Sequence, residues 1–184
     1  MRQATLGYLG AMLVSFALAC PWTVAQADDA GTLAVAVKAA FLYKFEPFVA
    51  WPAEAFAAAD SPFNLCVVGK DPFGPLLDRT VDGQKTAGHP VAIVRLKSVS
   101  ADAHCHMLYI ADAGTARQAE AAVAGAPVLT VTDGVADPAT KGMINFVIAD
   151  NRVRFEIDAG QAKLAGLDIS SKLLSLAVSV RSAP

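Results

Sequence analysis

The chain reads as one α/β domain, a mostly parallel central sheet covered by helices and finished by a C-terminal antiparallel hairpin. Two observations predict this. Short apolar runs (FNLCVVG, VAIVRL, MLYIAD, PVLTVTD) alternate with helical or loop segments between residues 63 and 133, the pattern of strands joined by crossovers. Beyond residue 142 the period changes, and MINFVIADNRVRFEID alternates as two strands around Ala149-Asp150-Asn151.

The first 27 residues stand apart from the fold. Arg2 precedes an apolar run from Leu6 to about Cys20, and Ala25-Gln26-Ala27 places small residues where a signal peptidase cleaves. The run is short for a membrane span, which needs about 20 apolar residues. Leu18 and Pro21 around Cys20 argue against a lipid-acceptor cysteine. A leader over 1–27 and an exported domain over 28–184, about 157 residues, are therefore expected. The formal charge of −2 becomes more negative without Arg2, and no basic stripe appears, so a nucleic-acid partner is not expected.

Residues 32 to 50 place Leu33, Val37, Phe41, Phe45 and Phe48 on one helical face, and Trp51-Pro52 stops the helix. AEAFAAADSP is a surface connector. After the strand FNLCVVG, DPFGPLLDRT reads as a short helix capped by Asp71 with Pro72 at its first position. VDGQKTAGHP is a loop, VAIVRL the second strand, and MLYIAD the third. TARQAEAAVAG is a helix stopped at Gly125, and PVLTVTD is the fourth strand. After the hairpin, Asp158 caps a short helix ending at Gly166. ISSKLLSLAVSV then aligns Ile169, Leu173, Leu176, Ala177 and Val180 along a last helix.

Without Cys20, two of the three cysteines remain, and an even number in an oxidising compartment predicts pairing. The first and third strands of a doubly wound sheet are commonly neighbours. Cys66 and Cys105 would then lie on backbones about 4.8 Å apart, within reach of a bridge. Metal binding through His89, His104, Cys105 and His106 is the sharper alternative. However, alternate strand residues face opposite ways, and no C-x-x-C or H-x-x-x-H spacing appears. No metal or cofactor is expected.

Enzymatic signatures are weak. VVGKDPFG lacks the second glycine and the spacing of a phosphate loop. There is no G-x-S-x-G elbow, and no histidine sits in a recognisable triad context. Asp112 and Asp133 end strands at the edge where α/β ligands bind, and with Lys70 and Asp71 they form a candidate ligand pocket. Strand-terminal aspartates also cap helices and turns, which is the plainer role.

Several collinear segments resemble the YfiR family of periplasmic regulators. They are KAAFLYKFEPFVAWP, LCVVGKDPFGPLLD, CHMLYIAD, PVLTVTD, GMINFVIADNRVRFEID and ISSKLLSLA, covering almost the whole exported chain. The resemblance implies a protein, often dimeric, that represses an inner-membrane diguanylate cyclase by binding its periplasmic sensor region. Cyclic-di-GMP synthesis and biofilm formation fall as a result, and envelope or redox stress releases the cyclase. Cys66 and Cys105 match the family's main cysteine pair. Some members carry a second pair near GMINF, where this chain has Thr140 and Val147. The resemblance places partner-binding anchors around Phe146, Glu156, Ile157, Leu164 and Ile169. Two other functions compete: a sensor of small molecules or cell-wall fragments using the strand-end pocket, and an exported hydrolase. A deep polar cleft would favour either, and an exposed apolar patch the repressor.

Overall fold

The computed structural model describes residues 25–100 and 102–182. The expected leader, with Arg2 and Cys20, lies outside the described residues up to position 24.

A long helix α1 (Ala25–Phe45) leads into a 3-10 turn at Glu46–Phe48 and a two-residue strand β1 (Val49–Ala50). The helical periodicity therefore stops five residues earlier than the predicted end. Pro47 accounts for this, because it has no N–H to donate and instead sits in the first turn of the 3-10 segment. A second 3-10 turn (Ala53–Ala55) belongs to the connector. Strand β2 (Phe63–Val68) follows, then α2 (Pro75–Val81), β3 (Lys85–Thr86) and β4 (His89–Leu96). Next come β5 (Met107–Ile110), α3 (Ala113–Ala122), β6 (Leu129–Asp133), and the hairpin β7 (Ile144–Ala149) with β8 (Arg152–Asp158). The chain ends with α4 (Ala159–Leu164), β9 (Asp168–Ile169), α5 (Ser171–Leu174) and β10 (Ser179–Arg181).

The main sheet has the order β10-β8-β7-β6-β5-β2-β4-β3, and β1 pairs with β9 in a separate two-stranded ribbon. The strands from β4 through β7 all run parallel, while β7–β8 and β3–β4 are antiparallel. The first predicted strand does lie beside the third, with Cys66 opposite Leu108. Alternation along β2 sends Leu65 and Val67 to one face, and Cys66 and Val68 to the other. Helix α1 covers the first face, where Phe41 and Phe45 pack on Phe146 and Phe155 with ring centroids 5.2–6.1 Å apart. Helix α3 covers the second through Ala116, Ala119 and Val123. Burial on both faces explains why β2 and β5 read as unbroken apolar runs.

Three local expectations need correction. Helix α2 starts at Pro75, not Pro72, and Asp71 instead accepts the Phe73 N–H at 2.7 Å in a turn of its own. The loop at 81–90 contains β3. The predicted C-terminal helix is only four residues of α5, after which the chain extends as β10, parallel to β8. β-Branched Val178 and Val180 favour extended backbone. Pairing with β8 also satisfies backbone groups that an edge strand would leave open. The hairpin is thus one strand in from the edge along Glu156–Asp158, and only its Arg152–Arg154 end lies beyond β10. Its turn is tight, with Asp150 and Asn151 both at positive φ, as a two-residue hairpin loop requires.

Cys66 and Cys105 form a disulfide with their Cα atoms 5.8 Å apart, spanning 39 positions of sequence. Replacing both with alanine is expected to lower the unfolding free energy by about 4 kcal/mol, measured by chemical denaturation. Thiol titration of the native, unreduced protein should find neither cysteine free.

Candidate functional site

The carboxyl ends of the parallel strands gather Asp71, Asp112 and Asp133, as the sequence predicts, but each is already engaged within the chain. Asp133 at the end of β6 takes the Lys38 ammonium of α1 on both oxygens, at 2.8 and 2.6 Å. The Tyr109 hydroxyl donates to the same carboxylate at 3.3 Å. Burial, helped by the Asp133 charge, drives the Tyr109 pKa upward, so its hydroxyl keeps the proton it donates. Asp71 accepts from Arg95 Nε at 2.8 Å as well as from Phe73. Arg95 also donates to both oxygens of Asp78 and to the Gly74 carbonyl. The Arg95 hydrogen bonds hold the Asp78 carboxyl below its usual range.

Asp112 caps α3 by accepting the Thr115 N–H at 2.9 Å. Its carboxylate also packs over Gly69, so closely that a Cβ there would overlap it. Gly69 sits at φ +89, where glycine alone is comfortable. The β2–β5 position is where strand connections diverge and open α/β sheets usually admit a ligand. Here the Asp112 side chain occupies that approach. Lys70 beside it is exposed. An open cleft of about 460 Å³ lies farther along, past α3, between Arg117, Asp133 and Thr140.

The predicted partner anchors do not share one surface. Phe146 is fully buried and Ile157 is 3% exposed, both in the core under α1. Neither can meet a partner directly, because α1 fills the space above them. Glu156 points to the opposite face. There it receives Lys141 at 2.9 Å and Asn145 at 3.1 Å, and these bonds, Lys141 first, lower its carboxyl pKa. Ile169 is half-buried in β9. Leu164 on α4 is 82% exposed. Ile148, Leu176, Val178 and Val180 are exposed as well. The sequence missed Leu176 and Val180 because a helical period assigned them to a buried face. Their true signal was the β-branched pair Val178 and Val180 at two-residue spacing.

Beyond α3, the second face of the sheet is closed by the connection between β6 and β7 and not by a helix. Thr130, Thr132 and Asn145 are buried there, at 0–1% exposure. Thr132 Oγ1 donates to Asn145 and accepts the Gly142 N–H, while Thr130 Oγ1 accepts the Met143 N–H. Asn145 also bonds both backbone groups of Val135. Gly142 is needed for this close approach, since a Cβ would lie 3.0 Å from the Thr130 backbone. The three histidines of the chain collect at the other end of the sheet. Among the described residues, no group of three His, Cys, Asp or Glu is arranged to hold a metal.

Glu120 on α3 reaches Thr130, with its Oε1 atom buried and unpartnered. Burial raises its pKa to about 7, against which the Thr130 bond acts weakly. A folded-state pKa above the unfolded value means that stability is fully present below about pH 4.5 and is lost progressively up to about pH 7. Glu120→Gln should therefore be more stable than the parent at pH 8 and lose that advantage towards pH 5, as read by thermal unfolding.

No curated protein matches the chain. A protein-family model described as YfiR/HmsC-like matches residues 35–178. That match runs from the buried half of α1 to the residue before β10 and takes in both faces of the sheet and the disulfide. This chain belongs to the YfiR/HmsC-like family.

Proposed function

We propose that the protein is a periplasmic, non-catalytic repressor of an inner-membrane diguanylate cyclase. It binds the cyclase's periplasmic sensor region, lowering cyclic-di-GMP and with it biofilm formation. The observation that carries this reading is the family match over residues 35–178, a family of periplasmic regulators. Export through a cleaved leader and pairing of two copies belong to the same proposal. Among the described residues, no helix is long and apolar enough to cross a membrane.

The site geometry supports binding over chemistry. The carboxylates at the strand ends hold Lys38, Arg95 and the start of α3 in place. Repression requires only that the protein favour the resting state of its partner, by the difference in affinity for the two states. Shifting that equilibrium from 1:99 to 99:1 takes about 5.5 kcal/mol, which a few apolar anchors can supply. Such anchors are exposed where α4 packs beside β10: Leu164, Val178 and Val180. The uncovered backbone of Arg152–Arg154 adds a free strand edge to this surface. Phe146 and Ile157 serve it from beneath, by fixing the hairpin against α1.

A sensor of small molecules or cell-wall fragments is the second reading, favoured by the open cleft of about 460 Å³ beside Arg117 and Asp133. The two readings are compatible if a ligand tunes repression.

Deleting the gene should raise cellular cyclic-di-GMP, and an unchanged level would sink the repressor reading. With purified protein, Leu164→Asp should weaken binding to the cyclase's periplasmic region at least tenfold by calorimetry and leave unfolding nearly unchanged. Phe146→Ala should instead destabilise the fold by about 3–5 kcal/mol. Equal binding by the Leu164 variant and the parent would remove α4 from the interface.

A further inference from the structure

Between the C-terminal end of α3 and helix α4 runs a groove of about 230 Å³. Val123, Met143 and Leu164 give it apolar walls, while Glu120 and Gln161 supply its polar side chains. Leu164, 82% exposed, stands at the mouth. Of the described residues lining the groove, only Glu120 is ionisable. Its carboxyl is bonded by Thr130, but its Oε1 atom is buried with no hydrogen-bond partner. A buried acceptor in that state is a cost that a bound donor removes.

The chain does not supply that donor. Arg117, one turn earlier on α3, lies 3.9 Å from Asp137. Lys141, just before β7, is held by Glu156 at 2.9 Å, and Lys163 of α4 by Asp168 at 2.5 Å. Thr130 of β6 brings no charge. Helix α3 has no basic residue in its last turn, so nothing on the helix itself offsets its negative end, beside Val123 and Gly125. Carboxyl and helix end therefore both favour a positive charge in the groove.

We propose that this groove receives a lysine or arginine side chain of the cyclase's periplasmic region, with its methylene stem against Val123, Met143 and Leu164 and its cationic head on the Glu120 carboxylate. The proposal rests on the repressor reading and gives the chemistry of the partner at that surface. Size favours one side chain over a whole small molecule, whose pockets usually run from about 300 to 1,000 Å³. The apolar walls suit the stem of a basic side chain, and Leu164 at the mouth shuts water away from the ion pair, which strengthens it.

Docking is linked to a proton. In the free protein burial raises the Glu120 pKa to about 7. A cation beside it favours the charged form, so binding lowers that pKa and the proton passes to solvent. Affinity therefore rises as pH rises through 7 and falls as the free carboxyl is protonated below it.

Calorimetric titration of the folded protein with the cyclase's periplasmic region, at pH 8 and at pH 6, tests the assignment. Parent affinity should fall at least about fivefold at pH 6. Glu120→Gln keeps the shape and loses the charge; it should bind about tenfold more weakly than the parent at pH 8 and approach it at pH 6. Equal binding by parent and variant at both pH values would overturn the groove and leave the repressor reading standing. An equal deficit at both would reduce Glu120 to a structural support and overturn it too. A parent that does not bind at either pH would remove the repressor reading and the groove with it. Self-association of the parent that is lost in Glu120→Gln would give the groove to a second copy, and so overturn the assignment to the cyclase. If the variant does not fold, proton release by the parent decides, measured at pH 7 in buffers of different ionisation enthalpy. Release of about half a proton per complex supports the groove, and no release overturns it.

Discussion

Burial of the central strands on both faces is the constraint on which the rest of this molecule depends. β2 has parallel neighbours on each side and an apolar layer above and below, so every residue from Leu65 to Val68 is nearly or fully buried. No position along such a strand can hold an unpaired polar group without a cost of order 1–3 kcal/mol. Function is therefore displaced to the strand ends, the edge strands and the helix surfaces. The disulfide reinforces this centre, joining β2 to the start of β5 where the two ladders meet.

The two faces are built from different materials, and the difference orders the molecule. Under α1 the core is aromatic and large, with Phe41, Phe45, Phe146 and Phe155 in mutual contact. Under α3 the helix contributes the small Ala116 and Ala119, which meet Val68, Leu108 and Ile110 of the sheet. Beyond α3 a polar ladder of Thr130, Thr132 and Asn145 replaces apolar packing and pins the β6–β7 connection directly to the sheet. These buried polar side chains are the fasteners of a helix-free crossover. The same holds at the carboxyl edge, where Asp112 and Asp133 secure α3 and α1.

For a regulatory protein this allocation is coherent. The carboxylates at the strand ends are spent internally, and the exposed large apolar side chains lie outside the sheet's centre, on α1, α4, the end of β7, and β10 with the segment leading into it. Surfaces of this kind favour association with another protein.

The sequence by itself determined the strands that are apolar throughout, the hairpin with its Asp-Asn turn, the capping role open to Asp112, and the pairing of Cys66 with Cys105. Each rests on local rules: period, turn chemistry, and an even cysteine number in an oxidising compartment. Tertiary structure alone decided that Ser179–Arg181 form a strand, because a short segment with both helical and extended character takes the state its neighbour stabilises, and β8 offered an open ladder. It also decided that Phe146 and Ile157 are internal while Leu164 is not. Alternation along a strand tells which residues share a face, but only the docking of α1 settles which face is covered. The stack of Phe56 between His89 and His106 was invisible for the same reason: its members are far apart in sequence, and only the folding of the connector onto the sheet stacks them.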